Sequence, residues 1–274
     1  MPGGEAPPPP GPDGPDGATA DLCRLWGLEP ERGAGFQGFD ARVLPVRRGA
    51  ERCVLKITRS GAAAEAAALL AWGGRGAVRL LAARPEPGAL LLERLDAGRS
   101  LRSLPAPDAA AIAGRLLRRL AIPAPAGLPR LRETSAVLAR SLPARQQSLG
   151  CPVPPPWLEA AVGLCRELGP GASDLLVHGD LHHDNVLLGT REAWLAIDPK
   201  PVAGDPEYGV GEPLWTAATD PRRLLSIVVD AGGLDAGRAR GWAIVRAVDY
   251  WLWGLENGLT EDPRRCRRVV EALL

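Results

Sequence analysis

The sequence predicts an α+β fold in two parts: a small sheet carrying one helix up to about residue 95, and a larger helical part beyond it. Three observations predict it. Short strand-like runs recur between residues 42 and 93. Helical periodicity dominates from residue 109 onward. Between them, at Asp96-Ala97-Gly98, the character of the chain changes. A length of 274 residues suits one large domain or two lobes, and 46% hydrophobic residues suffice for an ordinary core. The expected division is a tail at 1–20, an N-terminal lobe at 21–95 and a C-terminal lobe at 96–274.

Taken in order, residues 1–20 are Pro, Gly, Asp and Ala with almost nothing to bury, so a disordered tail is expected. A short helix is expected over Asp21–Gly27, then a glycine-rich turn over Gly33–Gly38. Arg42–Val46 and Cys53–Thr58 read as a hairpin. In its second strand Cys53, Leu55 and Ile57 share one face, and Val54, Lys56 and Thr58 the other. Gly61–Trp72 is Ala-rich and helical, and Gly73-Gly74 stops it. Val78–Ala82 and Ala89–Glu93 are further strands, separated by the turn Arg84-Pro85-Glu86-Pro87-Gly88. Beyond residue 98, Ile112, Leu116, Leu117 and Leu120 recur with helical spacing. Proline-rich breaks at 123–129 and 152–156 bound further helices, including Trp157–Leu168. Two long helical patterns, Asp235–Glu256 and Asp262–Leu274, complete the chain.

Composition excludes several classes of function. Basic and acidic residues nearly cancel, 33 against 32, which argues against a nucleic-acid binder. No apolar run is long enough to span a bilayer. The first residues lack the basic-then-apolar order of a signal peptide. Five widely spaced Cys with no CxxC pair fit reduced thiols and a cytoplasmic setting. Only two of the 33 basic residues are Lys, Lys56 and Lys200, and only two residues are Asn, Asn185 and Asn257. In a chain so biased toward Arg, Gly, Pro and Ala, as a GC-rich genome would encode, a retained Lys or Asn points to a task that Arg or Asp cannot perform.

The chemistry concentrates in residues 176–200. Val186–Leu188 reads as a short strand, Gly189–Glu192 as a polar turn, and Trp194–Ile197 as the return strand. In an antiparallel hairpin the start of one strand lies beside the end of the other, so Asn185 comes next to Asp198. Asp180 lies on the loop entering the same end. An amide oxygen and a carboxylate together suit a hard cation such as Mg²⁺. A separate Asp nearby can accept a proton from a hydroxyl. Asp180, Asn185 and Asp198 thus stand in the order that phosphoryl transfer in kinases uses. That chemistry also needs a strand Lys for phosphates and a helix Glu to orient it. Lys56 lies on a predicted strand, and Glu65 is the only acid on the helix that follows.

The string His178-Gly179-Asp180-Leu181-His182-x-x-Asn185, followed by Ile197-Asp198, resembles the aminoglycoside phosphotransferase superfamily. Trp194-Leu195-Ala196-Ile197-Asp198-Pro199-Lys200-Pro201 and Gly204-Asp205-Pro206-Glu207-Tyr208 resemble its streptomycin 6-kinase and hydroxyurea phosphotransferase group. So do residues 71–81 and 245–255. The resemblance spans about residues 25–274. It implies a bilobal protein-kinase-like fold with ATP and Mg²⁺ between the lobes. It implies Asp180 as the catalytic base, Asn185 and Asp198 as metal ligands, and Lys56 with Glu65 as the phosphate-orienting ion pair. Leu92-Glu93-Arg94-Leu95 matches the adenine-binding hinge, with Glu93 and Leu95 as contacts. The turn at Gly33–Gly38 matches no tidy phosphate-loop pattern.

The resulting expectation is an ATP- and Mg²⁺-dependent O-phosphotransferase for a small molecule. A cationic aminoglycoside such as streptomycin is the first expectation, with hydroxyurea or another hydroxylated metabolite as the alternative. Two rivals come from other classes. A metallohydrolase built on His178, Asp180, His182 and His183 lacks ligands from other segments, since the chain has no other His. A pseudokinase regulator would be expected to lack one of Lys56, Asp180, Asn185 and Asp198. Other residues have expected roles of a different kind. His178 and Asp205 are expected to hold the catalytic loop. Lys200 is expected near the phosphates or paired with an acid such as Glu207. Trp242, Tyr250, Trp251 and Trp253 are expected to be core. Glu212, Asp249 and Glu256 are each expected to be solvated helix residues, with use by a cationic acceptor as the alternative.

Overall fold

Strand alternation builds the N-terminal sheet. The computed structural model describes residues 17–31, 35–38, 40–215 and 219–274, and the chain divides into two units. The first comprises the chain up to Gly74 together with Val78–Leu95. Its elements are helix α1 (Gly17–Trp26), strands β1 (Glu29–Pro30), β2 (Phe36–Gln37), β3 (Ala41–Arg48) and β4 (Glu51–Thr58), helix α2 (Ala62–Trp72), and strands β5 (Leu80–Arg84) and β6 (Ala89–Glu93). The sheet runs β1-β3-β4-β6-β5, with β2 also pairing with β3, and every pairing is antiparallel. The two faces of β4 have different neighbours. Cys53 and Leu55 are buried with Val46, Ala89 and Leu91 against Leu22 and Cys23 of α1, and Ile57 packs on the same cluster. Lys56, on the other face, reaches α2. Alanine favours the α2 helix, and Gly73 ends it at φ 56°, donating its N–H to the carbonyls of Leu69 and Leu70.

Two expectations change here. Helix α1 begins at Gly17, so the last four residues of the expected tail are helical, with Thr19 buried. The sheet carries two helices rather than one, because Leu22 and Cys23 give α1 an apolar stripe that covers the sheet's second face. Residues 1–16 of the expected tail lie outside the described residues. So do Gly33 and Ala34 of the glycine-rich turn; further along that turn, Phe36–Gln37 is strand β2.

The second unit comprises Arg75–Ala77 and Asp96–Leu274. It opens with strand β7 (Asp96–Ser100) and helices α3 (Ala106–Leu120), α4 (Leu131–Ser148) and α5 (Pro155–Leu168). Strands β8 (Leu175–Val177), β9 (Val186–Leu188), β10 (Trp194–Ala196) and β11 (Val202–Gly204) follow. Helices α6 (Gly211–Trp215), α7 (Pro221–Gly232), α8 (Ala236–Glu256) and α9 (Glu261–Leu273) complete it. The strands form two small antiparallel sheets, β10-β9-β7 and β11-β8. Helix α8 supplies much of the core through Trp242, Ile244, Val245, Val248, Trp251 and Leu252, all buried. Helices α3 and α7 approach so closely at Gly114 that a Cβ there would collide with the carbonyl oxygen of Val228. Asp96-Ala97-Gly98, expected only as a change of character, belongs to β7, whose pairing with β9 begins at Asp96 opposite Leu188. Among the described residues no helix is long and apolar enough to cross a membrane.

Candidate active site

In the first unit the strand lysine and the helix glutamate meet. Lys56 stands on β4 opposite Val43 and Leu90, in the middle of the sheet. Its Nζ donates to Glu65 Oε1 at 2.7 Å and to Oε2 at 2.6 Å, and both residues are buried. Glu65 lies in the first turn of α2. Burying two charges costs several kcal/mol of solvation per ion, in order of magnitude, so only close bidentate geometry of this kind sustains the pair. At the end of the sheet, Glu93 donates its N–H to the Arg79 carbonyl at 3.0 Å. Its Oε1 accepts the Arg79 N–H at 2.7 Å. Arg94 is ion-paired with Glu31, and Leu95 ends the unit. The Glu93 side chain is thus engaged with the sheet's own backbone.

The second unit presents the loop and the hairpin. Strand β8 delivers His178, Gly179 and Asp180. The Asp180 N–H reaches Nδ1 of His178 at 3.3 Å. That fixes Nδ1 as an acceptor, so Nε2 carries the proton that reaches the Ile197 carbonyl at 3.0 Å. The buried His178 ring therefore ties the residue before Asp198 to the backbone of Asp180, the holding role expected of it. Gly179 is left-handed, φ 75°, and a Cβ there would strike the carbonyl oxygen of Lys200. Lys200 in turn donates its N–H to the His178 carbonyl at 2.8 Å.

Beyond the loop, a short 3₁₀ turn over His183–Asn185 leads into β9. The hairpin pairs Ala196 with Val186, and the Ile197 N–H reaches the Asn185 carbonyl at 2.8 Å. Asn185 and Asp198 are thereby set at the same end of the hairpin. The Asn185 amide nitrogen donates to the Asp180 carbonyl at 2.9 Å and to Asp180 Oδ2 at 3.3 Å. With its nitrogen committed, Asn185 offers its amide oxygen as an acceptor. Asp198 holds a left-handed backbone, φ 54°. Burial pushes the Asp180 carboxyl above the usual range, while the charges of His182, Arg246 and Lys200 pull it down. An oxygen donor set of one carboxylate and one amide fits Mg²⁺, which takes few protein ligands and keeps its waters. Among the described residues no three His, Cys, Asp or Glu groups come together as a metal cluster, so the metallohydrolase arrangement does not form.

Several surrounding groups were not legible in the sequence as partners. Arg246 of α8 donates to the Gly179 carbonyl at 3.2 Å, to the Tyr208 hydroxyl at 3.1 Å and to Glu212 Oε1 at 3.0 Å. Glu212 is fully buried, and among the described residues its Oε2 has no hydrogen-bond partner. Arg102 pairs with Asp184, its Nε 2.7 Å from Oδ1, and this ion pair holds the Asp184 carboxyl below the usual range. Asp205 accepts from the Ser173 N–H at 2.9 Å and the Trp242 indole at 2.9 Å, and pairs with Arg238, so it ties the segment before β8 to α8 rather than holding the loop of Asp180 directly.

Of the acids Glu212, Asp249 and Glu256, expected to be solvated, only Glu256 is exposed, and none is left open to a cation. Asp249 and Glu256 are both bound by Arg145, at 2.6 and 2.8 Å, and Glu212 by Arg246, so all three are neutralised by arginine. Trp242 and Trp251 are core, as expected. Tyr250, by contrast, is stacked between Trp215 at 4.4 Å and Trp253 at 5.1 Å and is only partly buried. Lys200 lies with its Nζ 3.5 Å from Asp198 Oδ1, whereas Glu207 accepts the Asp235 N–H at 3.0 Å.

These two units, sheet-rich and then helical, have the fold of the kinase-like phosphotransferases. A crystal structure of an aminoglycoside phosphotransferase variant in ternary complex with AMP-PNP and hygromycin B matches at a TM-score of 0.67 and 15% identity. The match covers 92% of this chain and 96% of that one.

A model of the family described as aminoglycoside/hydroxyurea antibiotic resistance kinase matches residues 26–258, and the chain belongs to that family. A hydroxyurea phosphotransferase of Kitasatospora aureofaciens is 40% identical over 265 residues, covering 93% of this chain and 78% of that protein. A streptomycin 6-kinase of Streptomyces griseus is 37% identical over 263 residues, covering 90% and 85%. The protein is a phosphotransferase that acts on a hydroxyl group.

Proposed function

We propose that the chain moves the γ-phosphoryl group of ATP to a hydroxyl of a small molecule, with Asp180 as the base that orients the acceptor and takes its proton. Lys56, oriented by Glu65, serves the α- and β-phosphates, and backbone at Glu93 and Leu95 meets adenine. Asn185 and Asp198 would hold Mg²⁺, which supplies charge neutralisation on the phosphates. The observation that carries the reading is the double engagement of Asn185. Its amide touches the Asp180 carboxylate while its carbonyl receives Ile197, the neighbour of Asp198. The proposed base and the neighbour of a proposed metal ligand are both bonded to one residue, and positioning of this kind supplies much of the rate in phosphoryl transfer.

The acceptor we propose first is a streptomycin-like aminoglycoside, supported by the S. griseus relative and by the nucleotide-and-antibiotic complex that shares the fold. Hydroxyurea is the second reading, favoured by the more similar K. aureofaciens relative and by the neutralised state of Asp249, Glu256 and Glu212. The five free thiols fit a cytoplasmic site of action, where ATP is available. The test is Mg²⁺-dependent ADP release with streptomycin, other aminoglycosides and hydroxyurea offered separately. Turnover with streptomycin and none with hydroxyurea supports the first reading, and the reverse supports the second. No release with any of them overturns the acceptor assignment.

A further inference from the structure

Resting on that reading, we propose that Lys200 is a second phosphate-binding lysine, the one that touches the transferring γ-phosphoryl group.

Composition supplies the first observation. Arginine is the default cation of this chain, and only Lys56 and Lys200 depart from it. Lys56 is half of the buried pair on the N-terminal sheet. Lys200 is the other; it stands beside Asp198, and the reaction proposed above has not yet used it.

Geometry supplies the second. The Lys200 backbone is clamped to the loop that carries Asp180. Its N–H bonds to the His178 carbonyl at 2.8 Å, and its own carbonyl packs where a Cβ of Gly179 would be. From that fixed anchor the side chain runs to Asp198, Nζ to Oδ1 at 3.5 Å. The side chain is 50% exposed, so an incoming anion can reach the ammonium.

The reaction dictates what such a cation would meet. In the proposed reaction the acceptor hydroxyl stands at Asp180, and the Mg²⁺ that Asp198 would hold would draw the phosphates to that side. The γ-phosphorus must pass between them. As the acceptor oxygen bonds to it, the bond to the β-phosphate oxygen breaks, ADP leaves with that electron pair, and the hydroxyl proton goes to Asp180. Lys200 takes no part in the bond changes and supplies positive charge beside the phosphoryl oxygens. A compact ammonium can turn from Asp198 to a phosphoryl oxygen while its backbone stays fixed. A planar guanidinium would tend to lock onto the carboxylate with two parallel bonds.

The experiment compares wild type, Lys200→Met and Lys200→Arg. Affinities for AMP-PNP and for ADP, both with Mg²⁺, are measured by calorimetry, alongside single-turnover rates on an accepted substrate. In Lys200→Met the preference for AMP-PNP over ADP is expected to fall by about tenfold. The rate is expected to fall about 10²-fold, with the acceptor KM unchanged. Lys200→Arg, which keeps the charge, is expected to restore the preference only in part, because its fork favours Asp198. An undiminished preference for AMP-PNP in Lys200→Met overturns the proposal and leaves Lys200 as a structural partner of Asp198. If Lys200→Met does not fold, Lys200→Gln is read in the same way. Wild-type protein that binds neither nucleotide would overturn the phosphotransfer reading itself, and this inference with it.

Discussion

Two buried ion pairs, one in each unit, differ in what they hold. Lys56 and Glu65 join a strand to the helix that follows it, nine residues on, and both carboxylate oxygens face the ammonium. Arg246 and Glu212 join helices whose residues stand 34 apart, and the arginine also grips the Tyr208 hydroxyl and the Gly179 carbonyl. Among the described residues Glu212 keeps one oxygen without a partner, and burial pushes its carboxyl up against the pull of Arg246. The first pair is the one proposed to share its charge with a ligand. The second commits its charge to the backbone next to Asp180. Buried charge at a site can therefore serve either the reaction or the loop that carries it, and substitutions tell the two apart.

The largest effect is expected at the base, which sets how much rate the loop can lose. Asp180→Asn should cut single-turnover phosphotransfer by about 10²–10⁴-fold. Nucleotide affinity should hold, because neither proposed metal ligand is removed. Unchanged turnover would remove Asp180 from the role of base.

The second expectation separates the pairs by stability. Arg246→Met leaves the Glu212 carboxylate buried without its partner, which costs about 3–5 kcal/mol. A denaturant melt should show the loss. The double variant Arg246→Met/Glu212→Met should recover much of it, since an apolar pair of similar volume is often tolerated. Phosphotransfer should stay low in the double variant, because Gly179 has still lost its donor. Recovery of both stability and rate would make the pair purely structural.

Lys56→Arg should show the converse pattern. Charge is kept, so the melt should move little, but a forked guanidinium displaces Glu65 or the phosphate. A fall in kcat/KM of at least about tenfold, or ~1.4 kcal/mol, is expected. Wild-type kinetics would show that any cation serves at position 56.

The contrast also marks where the sequence was legible. Lys56, Glu65, Asn185 and Asp198 came within reach through local structure: a strand leading into a helix, and one tight hairpin. The two-part division was legible too, because alternation gives way to helical periodicity. Strand β7 was not, since Asp-Ala-Gly-Arg-Ser carries no alternation and pairs with β9, far along the chain. Nor was the Arg246 cluster, which exists only because α6 and α8 pack together in the second unit. The same packing explains the acids. Asp249 and Glu256 are spaced to share a helix face, but nothing local predicts that Arg145 of α4 would claim both.

The last expected effect, read in nucleotide binding rather than in rate, concerns the two proposed metal ligands. Asp198→Asn should abolish Mg²⁺-dependent tightening of nucleotide binding. Asn185→Ala should only weaken it, since an amide offers a dipole where a carboxylate offers full charge. Titration of nucleotide with and without Mg²⁺ measures both. Equal Mg²⁺ dependence in Asp198→Asn and wild type would contradict the assignment.

The left-handed backbone of Asp198 also limits how this site could decay over generations. At φ 54° a side chain with a Cβ is tolerated chiefly when it is Asp or Asn, and glycine is at ease. Both alternatives lie one base change from an aspartate codon. If Asp198 has the proposed role, a lineage that abandoned catalysis could therefore relax it through Asp198→Asn or Asp198→Gly with little backbone strain, whereas most other replacements would add strain at this position. Silenced copies of this gene should carry that narrow signature, an amide or a bare α-carbon after an unaltered strand.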